Sequence, residues 1–212
     1  MKPARRPNPS RRAVVACAAG LVFLVVMALS TKVVRIDSAA GLTPGTFSAA
    51  EYGAGAFAKV KAAIEHRAVA ASTLAAANSK DRTAAAKRYG IATNAGAEFS
   101  VTFSGIVGKG DFGTYDVSVA GLPKTVVVRV QTGPAIVGTD LRDATGTITF
   151  GQFTNQIEYQ NAGSALNKEL KKNVLAKIDT DNLTGKTISV IGAFPSTDGD
   201  NWLVTPVKLD VR

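Results

Sequence analysis

The chain has 212 residues, with 25 Lys or Arg against 16 Asp or Glu, and a single His and a single Cys. That inventory excludes the usual zinc and haem ligand sets, and a lone Cys excludes an internal disulfide. The formal charge of +9 does not point to nucleic acid: five basic residues lie in the first 12, and residues 31–212 carry 20 basic and 16 acidic groups, a balance of +4.

Lys2, Arg5, Arg6, Arg11 and Arg12 precede an apolar run from Ala13 to Ser30, and no acidic residue occurs before Asp37. The asymmetry places the leader in the cytoplasm and the remainder beyond the membrane. At about 1.5 Å per helical residue the run reaches roughly 27 Å, enough for a thin hydrocarbon core. The expected arrangement is a basic cytoplasmic leader at 1–12 and a transmembrane signal anchor at 13–30. The cell membrane then holds a single-pass protein whose C-terminal body is extracytoplasmic. Three fates of the segment remain open: a retained anchor, cleavage after Ala28-Leu29-Ser30, or lipidation at Cys17. The last is awkward, because the hydrophobic stretch follows Cys17 instead of preceding it.

Residues 31–92 read as an extended stalk and a helical neck. Thr31 to Thr46 ends in a Gly-Leu-Thr-Pro-Gly turn. Ser48-Ala49-Ala50-Glu51 is a capping box, and Tyr52, Phe57, Val60, Ala63 and Ile64 follow at helical spacing, so a helix is expected over about 49–66. A second, Ala-rich helix is expected within 72–89, stopped by Lys87, Arg88 and Gly90. Few large apolar residues lie on these helices, which favours a lever or cover over a core element.

From Phe99 the period changes to two. Phe99, Val101, Phe103 and Val107 alternate with polar residues in a first strand; Tyr115, Val117 and Val119 mark a second; Lys124 to Gln131 forms a third. A polar segment from Thr132 to Asn161 leads into an amphipathic helix with Leu166, Leu170, Val174 and Ile178 four apart. Lys186 to Gly192 and Trp202 to Val211 supply two last strands, the second with Leu203, Val207, Leu209 and Val211 on one face. Pro206 suggests an edge or closing strand. Three strands, a helix and two strands is the order of an OB-fold. The fold class expected is therefore mainly β (α+β), an OB-like β-barrel with a plug helix at 97–212. The helical neck and the N-terminal transmembrane or signal helix precede it.

No motif carries catalysis. Gly108-x-Gly110-x-x-Gly113 matches a dinucleotide fingerprint by letter, but strands flank it where a helix would have to follow, so it reads as a hairpin. Asp179-Thr180-Asp181-Asn182 and Asp198-Gly199-Asp200-Asn201 lack the spacing of a calcium loop and read as turns. His66, between Glu65 and Arg67, reads as a helix-surface residue. Neither a cofactor nor a metal is expected. The one dense polar group is Thr139, Asp140, Arg142, Asp143, Gln152, Asn155, Gln156, Glu158 and Tyr159. Arg with Asp, amides and an aromatic could bind a hydroxyl-rich or anionic small molecule such as a sugar. The same residues could equally tie down the backbone of a long connection.

At this segment the chain resembles a bacterial domain-of-unknown-function family of predicted periplasmic lipoproteins. The residues that carry the likeness run from Gly133 through Ile136-Val137-Gly138-Thr139-Asp140-Leu141-Arg142-Asp143 to Ala144, then from Phe150 to Tyr159, then Ala165-Leu166-Asn167. The likeness covers most of residues 31–212. It implies a place beside sugar ABC transporters of the ribose type, with a permease or solute-binding protein as partner, and it brings no catalytic residue. Cys17 departs from the family pattern, in which the cysteine follows the apolar segment. The expected function is a membrane-tethered accessory or binding module for solute uptake, not an enzyme and not a nucleic-acid binder, with residues 133–159 as its contact surface. Two alternatives are a structural protein of the cell envelope and a hydrolase using Asp140 or Asp143.

Overall fold

Beyond Thr46 every residue of the computed structural model is described, together with Gly20, Phe23, Val26, Met27 and Leu29, which are helical. The expected leader, anchor and stalk otherwise lie outside the described residues. Among the described residues no helix is long and apolar enough to cross a membrane.

Helix α1 (Ala49–Arg67) begins where the capping box places it, the Ser48 hydroxyl accepting from the Glu51 amide at 3.4 Å. Its buried residues Gly53, Phe57, Val60 and Ile64 form one stripe. Strand β1 (Val69–Ala70) follows, and then α2 (Ala71–Lys80) and α3 (Arg82–Tyr89) replace the single Ala-rich helix expected. Asp81 makes the break: its backbone is extended and its carboxylate accepts from the Ala84 amide at 3.0 Å, starting a new helix. Next come β2 (Gly90–Thr93), β3 (Gly96–Asp111), β4 (Thr114–Val119) and β5 (Val127–Gln131). The long connection contains the short helix α4 (Asp140–Asp143), and α5 (Gln156–Asn173) leads to β6 (Thr187–Pro195) and β7 (Asn201–Val211).

The architecture is mixed α+β with one seven-stranded sheet. β3 is long enough to serve two partners. Residues 98–106 pair with β6 and residues 105–111 with β4. The ladder therefore runs β3–β4–β5–β7–β6 and returns to β3, the β5–β7 pair being parallel.

Two apolar clusters lie on opposite faces of this sheet. The first gathers Phe99, Val101, Phe103, Val130, Val190, Phe194, Trp202 and Leu209, with Leu74 from α2. Trp202 stacks on Phe194 with centroids 4.7 Å apart. The second joins Phe57, Val60 and Ile64 of α1 and Leu141 of α4 to Leu166 and Leu170 of α5, against Ala193 and Val207. The helix expected as a plug thus buries its stripe against α1 and the far face of β6 and β7. Gly53 permits the close approach, since a Cβ there would stand 2.9 Å from the Ala165 carbonyl oxygen.

One strand feeds both clusters. In β7, Trp202 and Val204 are buried at even positions, then Val207 and Leu209 at odd ones. The pairing shifts register between Ile191 and Gly192, so Gly192 faces Pro206 while Ile191 faces Lys208. The extra residue is a bulge that reverses the alternation, and it is where Pro206 is tolerated in a strand flanked on both sides. The odd-face reading of this strand was right only beyond the bulge.

Residues 47–92, expected as a separate neck, belong to the same compact unit as the strands. The connection is also shorter than expected, because residues 156–161 are already the first turns of α5. Ile64→Ala should cost about 2–5 kcal/mol in urea denaturation, as for a buried aliphatic residue. A free neck helix would lose almost nothing.

Candidate functional site

The connection after β5 crosses a sheet face that is itself covered, so its backbone groups need partners from the protein. Gln131, the last residue of β5, supplies two: its amide nitrogen donates to the Val137 carbonyl at 3.1 Å and its amide oxygen accepts from the Val137 amide at 2.9 Å. The same nitrogen donates to the Thr205 hydroxyl at 2.7 Å, and that hydroxyl donates to the Asp140 carboxylate. Asn167 of α5 donates to the Gly138 carbonyl at 3.0 Å.

Arg142 is buried at the centre. Its Nε and Nη2 donate to the two oxygens of Asp143 at 2.7 and 3.0 Å, and Nη1 donates to the Tyr159 carbonyl at 3.1 Å. The guanidinium lies 3.6 Å from the Tyr159 ring centroid, a close cation–π contact. Asp143 also accepts from Thr139 Oγ1 at 2.6 Å and from the Tyr159 hydroxyl at 3.4 Å. Gly163 leaves the room, for a Cβ there would stand 3.0 Å from Thr139 Cγ2.

The candidates therefore divide. Thr139, Asp140, Arg142, Asp143 and Tyr159 converge, and their bonds run to one another and to the sheet. Asn155 caps α5 by accepting from the Glu158 amide at 2.9 Å, while Glu158 accepts from the Thr154 amide. Gln152 donates to the Thr147 carbonyl, and Gln156 is exposed at the helix start. None of the four cavities described is lined by any of these nine residues. The hydrogen bonds of Thr139, Asp140, Arg142, Asp143 and Tyr159 hold the connection.

Glu98 of β3 escaped the sequence reading. It alternates with Ser100 and Thr102 on what looks like a solvent face. The helical layer covers that face, leaving Glu98 7% exposed with Oε2 unpartnered. Burial, reinforced by the charges of Asp140, Asp143 and Asp198 and opposed by Arg142, pushes its carboxyl up to about 9. Burial also raises Asp140 to about 6, against the Thr205 hydrogen bond. Among the described residues no group of His, Cys, Asp or Glu could hold a metal ion. Asp179 accepts from Asn182 at 2.9 Å in a turn, and Phe112-Gly113 close the β3–β4 hairpin where the glycine fingerprint lay. His66 is exposed in the last turn of α1.

Beside the polar network lies an aromatic cluster. Phe47, Tyr52, Phe153, Tyr159 and Phe150 form a chain of ring contacts with centroids 5.4–5.8 Å apart. At its border Phe150 is 50% exposed and Ile157 72%. Val137, on the same connection, is exposed as well.

A family model described as predicted periplasmic lipoprotein (DUF2291) matches residues 21–210. The structure is similar to a crystal structure of an OB-fold protein from Thermotoga maritima, with TM-score 0.64 and 15% identity over 79% of this chain and 99% of that one. At that identity the likeness shows the fold alone. No curated protein matches the sequence.

Arg142→Ala should destabilise the protein by about 3–5 kcal/mol, because it strands a buried carboxylate. The double variant Arg142→Ala/Asp143→Ala should recover part of that loss in urea unfolding. A second outcome follows from Glu98. Its folded pKa lies above the ordinary 4.5, so the folded state retains a proton that the unfolded chain has released between pH 4.5 and about 9. Stability should fall as pH rises through that window, with Asp140 adding to the slope between 3.8 and about 6. Glu98→Gln should flatten the profile measured by thermal melting.

Proposed function

We propose, from the premise that the chain belongs to the DUF2291 family of predicted periplasmic lipoproteins, that it is a membrane-tethered extracytoplasmic accessory module that docks a partner protein. The observation that carries this reading is the direction of the groups in the 132–159 segment. The side chains of Thr139, Arg142, Asp143 and Tyr159 turn inward and bond to one another, while Val137, Phe150 and Ile157 stand exposed above them beside Gln152, Asn155 and Gln156. An apolar surface on a rigid support suits protein contact, since little order is lost on binding.

The contact residues are accordingly Val137, Phe150 and Ile157, and not the Arg142 group. Three N–H groups of Arg142 and both oxygens of Asp143 are already engaged, which leaves a sugar few partners and weakens the direct ligand reading. The partner proposed is a permease or solute-binding protein of a ribose-type sugar ABC transporter, a link that rests on the resemblance at residues 133–159. The return of the ladder to β3 supports treating the sheet as an OB-like barrel, a scaffold that commonly binds through its surface.

A carboxylate hydrolase is the second reading. Asp140 is raised by burial, as a general acid would need, and Asp143 lies beside it paired with the Arg142 guanidinium. Against it, Asp143 already accepts four hydrogen bonds, which leaves little capacity for a substrate.

Photo-crosslinking from the exposed position 156 in intact cells tests the proposal. A transporter subunit should be recovered, and Phe150→Ser/Ile157→Ser should lower the yield roughly tenfold, as for loss of about 1.4 kcal/mol, with the melting temperature unchanged. Recovery of neither a permease nor a solute-binding protein would overturn it. A rise in melting temperature with a pentose, abolished in a folded Tyr159→Phe variant, would instead establish a sugar site.

A further inference from the structure

We propose that the C-terminal end of α5 and the tip of the β3–β4 hairpin form a second surface, one that rests on an anionic lipid bilayer. Lys168, Lys171 and Lys172 line a groove of about 550 Å³ whose lining contains no acidic residue. Its apolar wall includes Pro134, Leu175 and Ile178. The groove is amphipathic in the sense an interface requires: ammonium groups at the rim and hydrocarbon between them.

The hairpin tip stands beside it. The Thr132 amide and hydroxyl both donate to the Gly113 carbonyl, at 2.8 and 3.1 Å. Gly113 lies against Gly133 so closely that a Cβ would overlap its carbonyl. Thr132 and Gly133 belong to the groove wall. The tip is therefore fixed to the groove by backbone contact.

At that tip Phe112 is 96% exposed and has φ +46°. The left-handed region is unfavourable for a residue with a Cβ, and hairpin turns of this kind ordinarily use Gly, Asn or Asp. An aromatic ring held there against its backbone preference, with none of its surface buried in compensation, contributes nothing to folding. Beside three lysines it is suited to enter the headgroup layer. Asp111 and Asp116 are the opposing charges on the hairpin, Asp179 and Asp181 flank Thr180, and Glu169 stands 3.9 Å from Lys172, while Lys109 and Lys177 add to the basic side. The groove lining itself carries only the three ammonium groups.

The occupant follows from charge and from place. Sixteen residues, 31–46, can span at most about 58 Å, so a body tethered at 13–30 remains within reach of the membrane surface. Each lysine near an anionic surface contributes about fivefold in partitioning, and three on the order of a hundredfold. The tether confines the domain to the membrane; this surface would orient it. The inference thus rests on the membrane-tethered reading above.

The test uses the full chain with Cys17→Ser and Phe112→Cys, labelled at 112 with an environment-sensitive nitrobenzoxadiazole. It is reconstituted in phosphatidylcholine vesicles with or without about 30% phosphatidylglycerol. Emission should shift to the blue and protection from a soluble quencher should rise about threefold in the anionic vesicles only. Both effects should vanish in about 0.5 M salt and in Lys168→Glu/Lys171→Glu/Lys172→Glu. Flotation of the same samples separates the two readings. Protein that floats but gives equal emission in both vesicles overturns this surface alone, whereas protein that fails to float overturns a tether through the apolar run 13–30 as well. A shift that appears without lipid and grows with protein concentration would assign the face to a second copy of the chain, again overturning the proposal.

Discussion

Arg142 and Asp143 lie together under the helical layer, and losing either charge would leave the other poorly hydrated, the guanidinium most of all. Everything above the sheet depends on that pair. α4 is a single turn, too short to persist without tertiary support. It is held because Thr139 and the Tyr159 hydroxyl complete the carboxylate while the Tyr159 carbonyl and ring complete the guanidinium. The first turns of α5 are thereby tied to the connection, and Leu141 is carried into the cluster with Leu166 and Ile64.

The sheet tolerates this layer because it has two buried faces. Most small sheets keep one face for water and show clean alternation. Here α1, α4 and α5 cover the far side of β6 and β7, and the bulge at Pro206 lets one strand contribute Trp202 to one cluster and Val207 to the other. The cost falls on Glu98, a carboxyl on a face that the layer shields. Its proton stays on where an exposed glutamate would have lost it, so the helical layer and the protonation of the sheet are linked.

Two surfaces remain outward, and they differ in chemistry. The aromatic border around Phe150 and Ile157 sits where α5 begins, over the Arg142 network. The lysine groove sits where α5 ends, beside the hairpin tip. One helix thus presents an apolar surface at its start and a basic one at its finish. A module that touches a protein partner on one side and a lipid surface on another has a use for that division.

The residues by themselves determined the local elements. Ser48 with Glu51, the period of two from Phe99, and the four-residue spacing of Leu166 and Leu170 each act over a few neighbours, and each element formed close to where those signals lie. Even the strand order of an OB-fold was legible, because β pairing followed from which segments could be strands. Tertiary structure decided what depends on distant groups. Whether Glu98 meets water, whether Arg142 faces a ligand or Asp143, and whether α1 is a neck or half of a core all turn on what packs above them. No local pattern encodes that. A side chain's chemistry is written in its own letter, but its exposure is set by residues far away in the chain, as Thr205 is for Asp140 at a separation of 65 positions.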